Sequence, residues 1–209
     1  MSQPLHIPPS APARLVVLAS GTGSLLRSLI DAALGDYPAR VVAVGVDRGC
    51  FAAEIAGAAA LPVFVVPLAD YPSRAAWDAA FTDAVATHSP DLIVCAGFMR
   101  LLGPQFLSRF SGRVINTHPA LLPAFPGAHG VADALAYGVK VTGCTVHLVD
   151  GGTDTGPILA QQPVLVFDDD TEETLHERIK VVERQLLAGV VAEVVTGGVT
   201  SDGRKATLG

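Results

Sequence analysis

Five short apolar runs rich in β-branched residues, at 14–19, 41–46, 63–66, 92–96 and 114–116, alternate with segments of helical character at 24–34, 51–60, 73–87, 104–110 and 128–137. Strands that are apolar on both sides must be covered on both faces of their sheet. A helix between successive strands supplies that cover, together with the right-handed crossover that parallel pairing requires. The alternation predicts an α/β fold: a doubly wound, mostly parallel, Rossmann-like sheet.

After Gly138 the rhythm changes. Residues 142–149 and 158–167 read as an antiparallel edge pair joined by a loop rich in Gly and Asp, and one long C-terminal helix follows. Asp170 or Thr171 offers its N-cap, and Glu172 and Glu173 in the first turn suit the helix dipole. Leu175, Ile179, Val182, Leu186 and Val190 recur at helical spacing on one face. The expected organisation is a disordered Pro-rich leader over 1–13, one domain over 14–197 and a tail over 198–209.

Composition narrows the function classes. The mean hydropathy of +0.44 comes from Ala, Val and Gly. Polar residues break every apolar run well before the ~18 residues of a membrane span, and the leader lacks the pattern of a signal peptide. A soluble cytoplasmic protein is expected. The net charge of −6 gives no basic footprint for nucleic acid. Cys50, Cys95 and Cys144 form no C-x-x-C pair and are expected as buried, reduced thiols.

The stretch A-S-G-T-G-S-L-L ends the first strand and opens the first helix, so Gly21, Thr22, Gly23 and Ser24 bring backbone amides to a helix start, where anions bind. Many tight strand-to-helix turns use glycine with no ligand. A dinucleotide fingerprint would need glycine where Leu26 stands, although Asp47, ending the second strand, suits a ribose; a Walker loop would need Gly-Lys-Ser/Thr. A simpler phosphate cradle remains.

In R-V-I-N-T-H-P, Asn116 and His118 lie two apart and project to one side of an extended segment at the carboxyl end of a strand, where such sheets bind ligands. Each also has a structural explanation: Asn116 as a partner of loop backbone, His118 as a half-buried hydrogen-bonded ring, Asp154 as a turn residue. Glu183 falls inside the apolar face of the last helix, where a carboxylate rarely sits without a partner. No nucleophile signature stands beside His118, and the histidines lack zinc spacing.

The set A-S-G-T-G-S, A-G-F-M-R-L-L, I-N-T-H-P-A-L-L-P-A-F-P-G-A-H and H-L-V-D-G-G-T-D-T-G-P-I-L, in this order, resembles the folate-dependent phosphoribosylglycinamide formyltransferase family from about 14 to 192. The resemblance implies a catalytic trio of Asn116, His118 and Asp154. It implies a substrate-phosphate loop at Gly21, Thr22, Gly23 and Ser24, with further substrate contacts at Lys180 and Glu183. Met99, Arg100, Leu101 and Leu102 match the segment that holds the pterin, and Arg74, Asn116, Asp150, Gly151, Gly152, Thr153 and Asp154 match other folate contacts. The implied co-substrate is 10-formyltetrahydrofolate, with no metal required. The implied partners are a phosphorylated small-molecule amine and folate, without nucleic acid or membrane, and a homodimer is compatible with the pattern. Leu25 and Ala124 depart from the family's usual Asn and Lys.

The resemblance extends to formyltetrahydrofolate hydrolases, which usually add an N-terminal regulatory module. It extends also to methionyl-tRNA formyltransferases, which add a C-terminal RNA-binding domain, and to formyltransferases acting on another amine. A binder that uses folate without chemistry would have no need of the Asn, His and Asp together.

Overall fold

A computed structural model describes residues 12–209, so most of the expected leader lies outside the described residues, and Ala13 already opens the first strand. The elements run β1 (Ala13–Ala19), α1 (Ser24–Ala32), β2 (Ala39–Val46), α2 (Phe51–Ala58) and β3 (Val63–Val65), then a 3₁₀ turn at Leu68–Asp70. They continue α3 (Arg74–Ala86), β4 (Leu92–Cys95), α4 (Pro104–Arg109), β5 (Val114–His118), α5 (Gly130–Tyr137), β6 (Val141–Leu148), β7 (Ile158–Leu165), α6 (Glu172–Gly197), β8 (Val199–Ser201) and β9 (Ala206–Leu208).

Seven strands form one sheet in the order β3-β2-β1-β4-β5-β6-β7. The first five are parallel, and β6 and β7 add antiparallel at the edge. The order reverses direction between β1 and β4, and a crevice opens outside the carboxyl ends of the strands at such a reversal. Every loop considered below converges there.

Alternation along β1 feeds two cores. Leu15 and Val17 pack with Leu26 and Leu29 of α1 and Leu187 and Val191 of α6, whereas Val16 and Leu18 pack with Trp77 and Phe81 of α3 and Phe106 of α4. The Trp77 and Phe81 rings stack 4.9 Å apart, and Trp77 Nε1 donates to the Val66 carbonyl at 2.9 Å. Both aromatic side chains are fully buried; deletion of such a ring costs about 3–5 kcal/mol.

The cap of α6 is Thr171: its hydroxyl accepts the Thr174 amide at 3.2 Å, and Thr174 Oγ1 accepts the Thr171 amide at 2.9 Å. Asp170 instead takes Arg178 in a two-point pair at 2.8 and 2.7 Å. The buried stripe is also rotated from the expected one: Glu183 and Leu187 are buried, while Val182 and Leu186 are half-buried. A ridge of fourth residues slants across a helix surface. Because α6 crosses from the small cluster around Val131, Cys144 and Leu175 to the main core, that slanted ridge meets both.

The expected tail forms the β8–β9 hairpin. Its Lys205 bridges to Ile158 of the edge strand, and Arg204 Nη1 donates to the Thr155 carbonyl at 3.3 Å. Cys95 and Cys144 are buried, as expected, and burial pushes both thiols up to about 12. Cys50 departs from the expectation by being half-buried. Among the described residues no helix is long and apolar enough to cross a membrane.

Candidate active site

Between β1 and α1 the chain turns at Gly23, with φ +73°, and a Cβ there would lie 2.8 Å from the Ala52 backbone. Glycine is therefore required for the turn and for the approach of α2, whatever else the turn binds. The turn also exposes the first residues of α1 to the crevice.

The loop after β4 is held from four sides. Ser20 Oγ accepts the Met99 amide at 2.9 Å, and Asp47 Oδ2 accepts from Arg100 Nε at 2.6 Å. Arg74 donates to the Leu101 carbonyl while its guanidinium lies 5.0 Å over the Trp77 ring. The buried Asp78 carboxylate accepts the Gly103 and Gln105 amides, each at 2.9 Å, and so caps α4. A Cβ on Gly103 would collide with that carboxylate. Between these anchors Met99 and Leu101 stand 65% and 61% exposed, forming an apolar platform beside the cleft. Large apolar side chains held outward on a fixed loop mark a contact surface.

Asn116 and His118 lie on one side of β5, which runs two residues beyond its expected end because Thr117 and His118 pair with Val146 and Thr145 of β6. The same register sets His147 opposite Asn116, and its Nε2 is 3.2 Å from Asn116 Nδ2. His147 Nδ1 is 2.8 Å from the Leu148 carbonyl. That carbonyl requires a proton on Nδ1, while Nε2 stands within reach of both the Asn116 amide and Asp154 Oδ1.

Asp154 enters from the β6–β7 loop with φ +53°, a left-handed conformation that costs energy outside glycine and recurs at functional positions. The loop is folded on Asp150, whose Oδ1 accepts from Gly152 N at 3.0 Å and Thr155 Oγ1 at 2.6 Å. Asp154 Oδ2 accepts the Gly127 amide at 2.8 Å and faces His118 Nδ1 at 3.4 Å. Its Oδ1 lies 3.5 Å from Asn116 Nδ2 and 3.6 Å from His147 Nε2. Burial pushes this carboxyl up, but the hydrogen bonds of His147 and the Gly127 amide and the field of the two histidines outweigh it, so the group sits below the usual carboxylate range. It is ionised at neutral pH.

His118 is itself engaged at both ends. Its Nε2 donates to the Phe125 carbonyl at 2.7 Å while Nδ1 faces Asp154. Donation from Nε2 to anything in the cleft requires that the Phe125 bond be exchanged.

Glu183, 4% exposed, reaches the cleft from α6 and is bonded by the Thr117 hydroxyl. Burial holds its carboxyl above the usual range, against Thr117, Lys180 and Arg184. Lys180 donates to Glu177 at 2.7 Å. One cleft of about 540 Å³ gathers every expected site residue except Arg74, which supports the loop after β4 through the Leu101 carbonyl. The residues that sequence reasoning passed over are His147, Thr117, Ser20, Asp78 and the actual partners of Asp47. His147 stood inside a quoted motif; only the β5–β6 register shows what it faces.

Asp47, the acid that could have bound a dinucleotide ribose, has no exposed side-chain surface and is paired with Arg100. A doubly wound sheet whose switch-point cleft holds an amide, an imidazole and an ionised carboxylate defines an acid–base enzyme of the Rossmann-like class. Comparison with known proteins takes this further, and the chain belongs to the formyl transferase family, which matches residues 13–191. A phosphoribosylglycinamide formyltransferase of Mycobacterium tuberculosis is 77% identical over 209 residues, covering 100% of this chain and 97% of that protein. The crystal structure of a glycinamide ribonucleotide transformylase from Symbiobacterium toebii aligns with TM-score 0.91 at 39% identity, covering 94% of this chain and 93% of that one. A formyltetrahydrofolate deformylase from Pseudomonas syringae aligns with TM-score 0.87 at 26% identity, covering 95% of this chain and 66% of that one.

Proposed function

We propose that this enzyme transfers the formyl group of 10-formyltetrahydrofolate to the amine of 5-phosphoribosylglycinamide, giving formylglycinamide ribonucleotide and tetrahydrofolate in de novo purine biosynthesis. The observation that carries the proposal is the meeting of Asn116, His118 and an ionised Asp154 in a cleft that also contains a glycine turn suited to phosphate and an apolar platform suited to a flat ring. The platform, Met99 to Leu102, would hold the pterin, and Asp150 to Asp154 would close on the folate. Gly21 to Ser24, with Glu183 and Lys180, would hold the phosphorylated amine. The folate supplies an activated formyl group, so the protein's own task is charge and proton placement.

As the new C–N bond forms, negative charge grows on the formyl oxygen. The Asn116 amide donates one Nδ2 hydrogen to that oxygen while the other stays directed at His147. His118, held by Asp154 and released from the Phe125 carbonyl, delivers the proton that the departing folate nitrogen requires as the old C–N bond breaks. Asp154 takes up the proton lost by the attacking amine, directly or through water, which balances the transfer. His147, tied to the Leu148 carbonyl, keeps the Asn116 amide turned toward the reacting group.

The test is release of tetrahydrofolate from 10-formyltetrahydrofolate with and without the amine. Release that depends on the amine supports the transferase. Equal release in both arms indicates water as the acceptor, as the name of the structurally similar deformylase implies. The proposal places the reaction in the cytoplasm without nucleic acid, in keeping with the net charge of −6. It allows a homodimer, which sedimentation would measure.

A further inference from the structure

Asp47 directly follows β2, where dinucleotide enzymes of this topology keep an acid for a ribose. Here its side chain is wholly buried, and its contacts with Arg100 and Ser20 run toward the folate platform. Oδ2 accepts from Arg100 Nε at 2.6 Å, Oδ1 from Arg48 Nε at 3.3 Å, and the Ser20 hydroxyl donates to the same group. Ser20 Oγ in turn accepts the Met99 amide at 2.9 Å. One carboxylate at the end of β2 therefore reaches both residues 99 and 100, across 53 positions of sequence to Arg100.

We propose that Asp47 is a positioning residue for the folate, acting through Arg100 and, by way of Ser20, through the Met99 amide. The inference rests on the folate reading of the cleft given above. A buried ion pair is a poor source of stability, because desolvation offsets much of the attraction. This pair is asymmetric: the Asp47 side chain exposes nothing, whereas that of Arg100 is 33% exposed in the cleft lining. A negative charge fixed in the frame thus orients a cation at the cleft, leaving the terminal nitrogens of that cation outside the bond to Asp47. Burial pushes the Asp47 carboxyl up, but Ser20, Arg100 and Arg48 outweigh it and hold the group below the usual carboxylate range, so the anchor is charged at neutral pH.

The far end of the same loop is secured independently by Asp78 at Gly103 and Gln105. Loss of Asp47 should therefore loosen the start of the platform and leave α4 and the aromatic core in place. The trio of Asn116, His118 and Asp154 makes no contact with Asp47, so the chemical step should be spared once folate is bound.

The experiment compares Asp47→Asn, which keeps the shape and removes the charge, with Ser20→Ala and with Asp47→Asn in an Arg100→Ala background. Steady-state constants are measured for both substrates, and folate binding by calorimetry. The expected result for Asp47→Asn is about a tenfold rise in folate KM and Kd, with kcat and the KM for the amine within twofold. Ser20→Ala should shift the folate constants the same way by less. In the Arg100→Ala background, Asp47→Asn should add no more than Ser20→Ala does alone, the part carried through the Met99 amide. An unchanged folate KM, an equal loss for both substrates with a lowered melting temperature, or full additivity with Arg100→Ala would each overturn the inference. Failure of the wild-type enzyme to bind folate would overturn the proposed function instead.

Discussion

Replacing Asp154 by Asn tests the chemistry of the cleft with little change of shape. The amide oxygen can still accept from Gly127 and face His118, so what is lost is charge. While His118 carries a proton in transit, its charge and that of Asp154, 3.4 Å away, attract by ~5 kcal/mol at an effective dielectric of about 20. The Asp154 side chain is 13% exposed, so water screens part of this, and the neutral amide recovers part as an ordinary hydrogen bond. About 3 kcal/mol remains, the size of the loss when one stabilising group is removed from a developing oxyanion, and it corresponds to a rate factor of ~10². The assay is steady-state formation of tetrahydrofolate at saturating amine from pH 5 to 9. The fall should lie in kcat, with both KM values little moved. Because the Asp154 carboxyl is held below its ordinary 3.8, its own acid limb lies below that pH and should not enter the wild-type profile. A variant with kcat within threefold of wild type, or one whose whole loss lies in KM, would refute the assignment of charge stabilisation to Asp154.

Asp78→Ala should destabilise the fold by about 2–3 kcal/mol, since two amides at the start of α4 lose their acceptor; the denaturant midpoint should fall with its slope unchanged. Thr142→Val should raise the melting temperature, because Thr142 Oγ1 is buried with no partner among the described residues and valine has nearly its shape. A lower melting temperature would mean the hydroxyl is satisfied in solution. Glu183 titrates above its ordinary 4.5 when folded, so the unfolded chain loses this proton first and the group's contribution to stability falls as pH rises from 4.5 through the folded value. Glu183→Gln should therefore gain stability relative to wild type at neutral pH while weakening the phosphorylated amine; no gain between pH 5 and 8 would contradict the direction of the shift.

The parallel body of the sheet was legible because each of its strands is short, apolar and bounded by turn residues, and the loops at their carboxyl ends follow from that order. The positions of Asn116 and His118 on one side of β5 followed from period two. The length of β5 did not: Thr117 and His118 carry no strand pattern of their own and are drawn in by pairing with β6. Register across an antiparallel pair is a tertiary fact, and so the contact of Asn116 with His147 was out of reach. The same limit hid the bond from Asp47 to Arg100, in which two charged residues far apart in sequence meet only because their strands are neighbours of β1. Arg74 was expected as a folate contact from the resemblance alone; that its guanidinium bonds the Leu101 carbonyl and covers the Trp77 ring is a tertiary fact the sequence did not carry. The β8–β9 hairpin carried a readable signal in Asp202 and Gly203, which the charged context around Arg204 and Lys205 obscured.

The three thiols divide the molecule in a way that suits spectroscopy. Cys95 and Cys144 are sealed in the cores and held near 12 by burial, so an alkylating reagent finds them protonated and inaccessible. Cys50 alone is partly open, at the N-cap of α2 and two residues before Ala52, whose amide donates to the Gly21 carbonyl at 3.0 Å. The wild-type chain thus provides a single attachment point for a maleimide dye, one hydrogen bond away from the glycine turn. A fluorophore placed there would report occupation of that turn in solution from the native sequence, with no cysteine to introduce and none to remove.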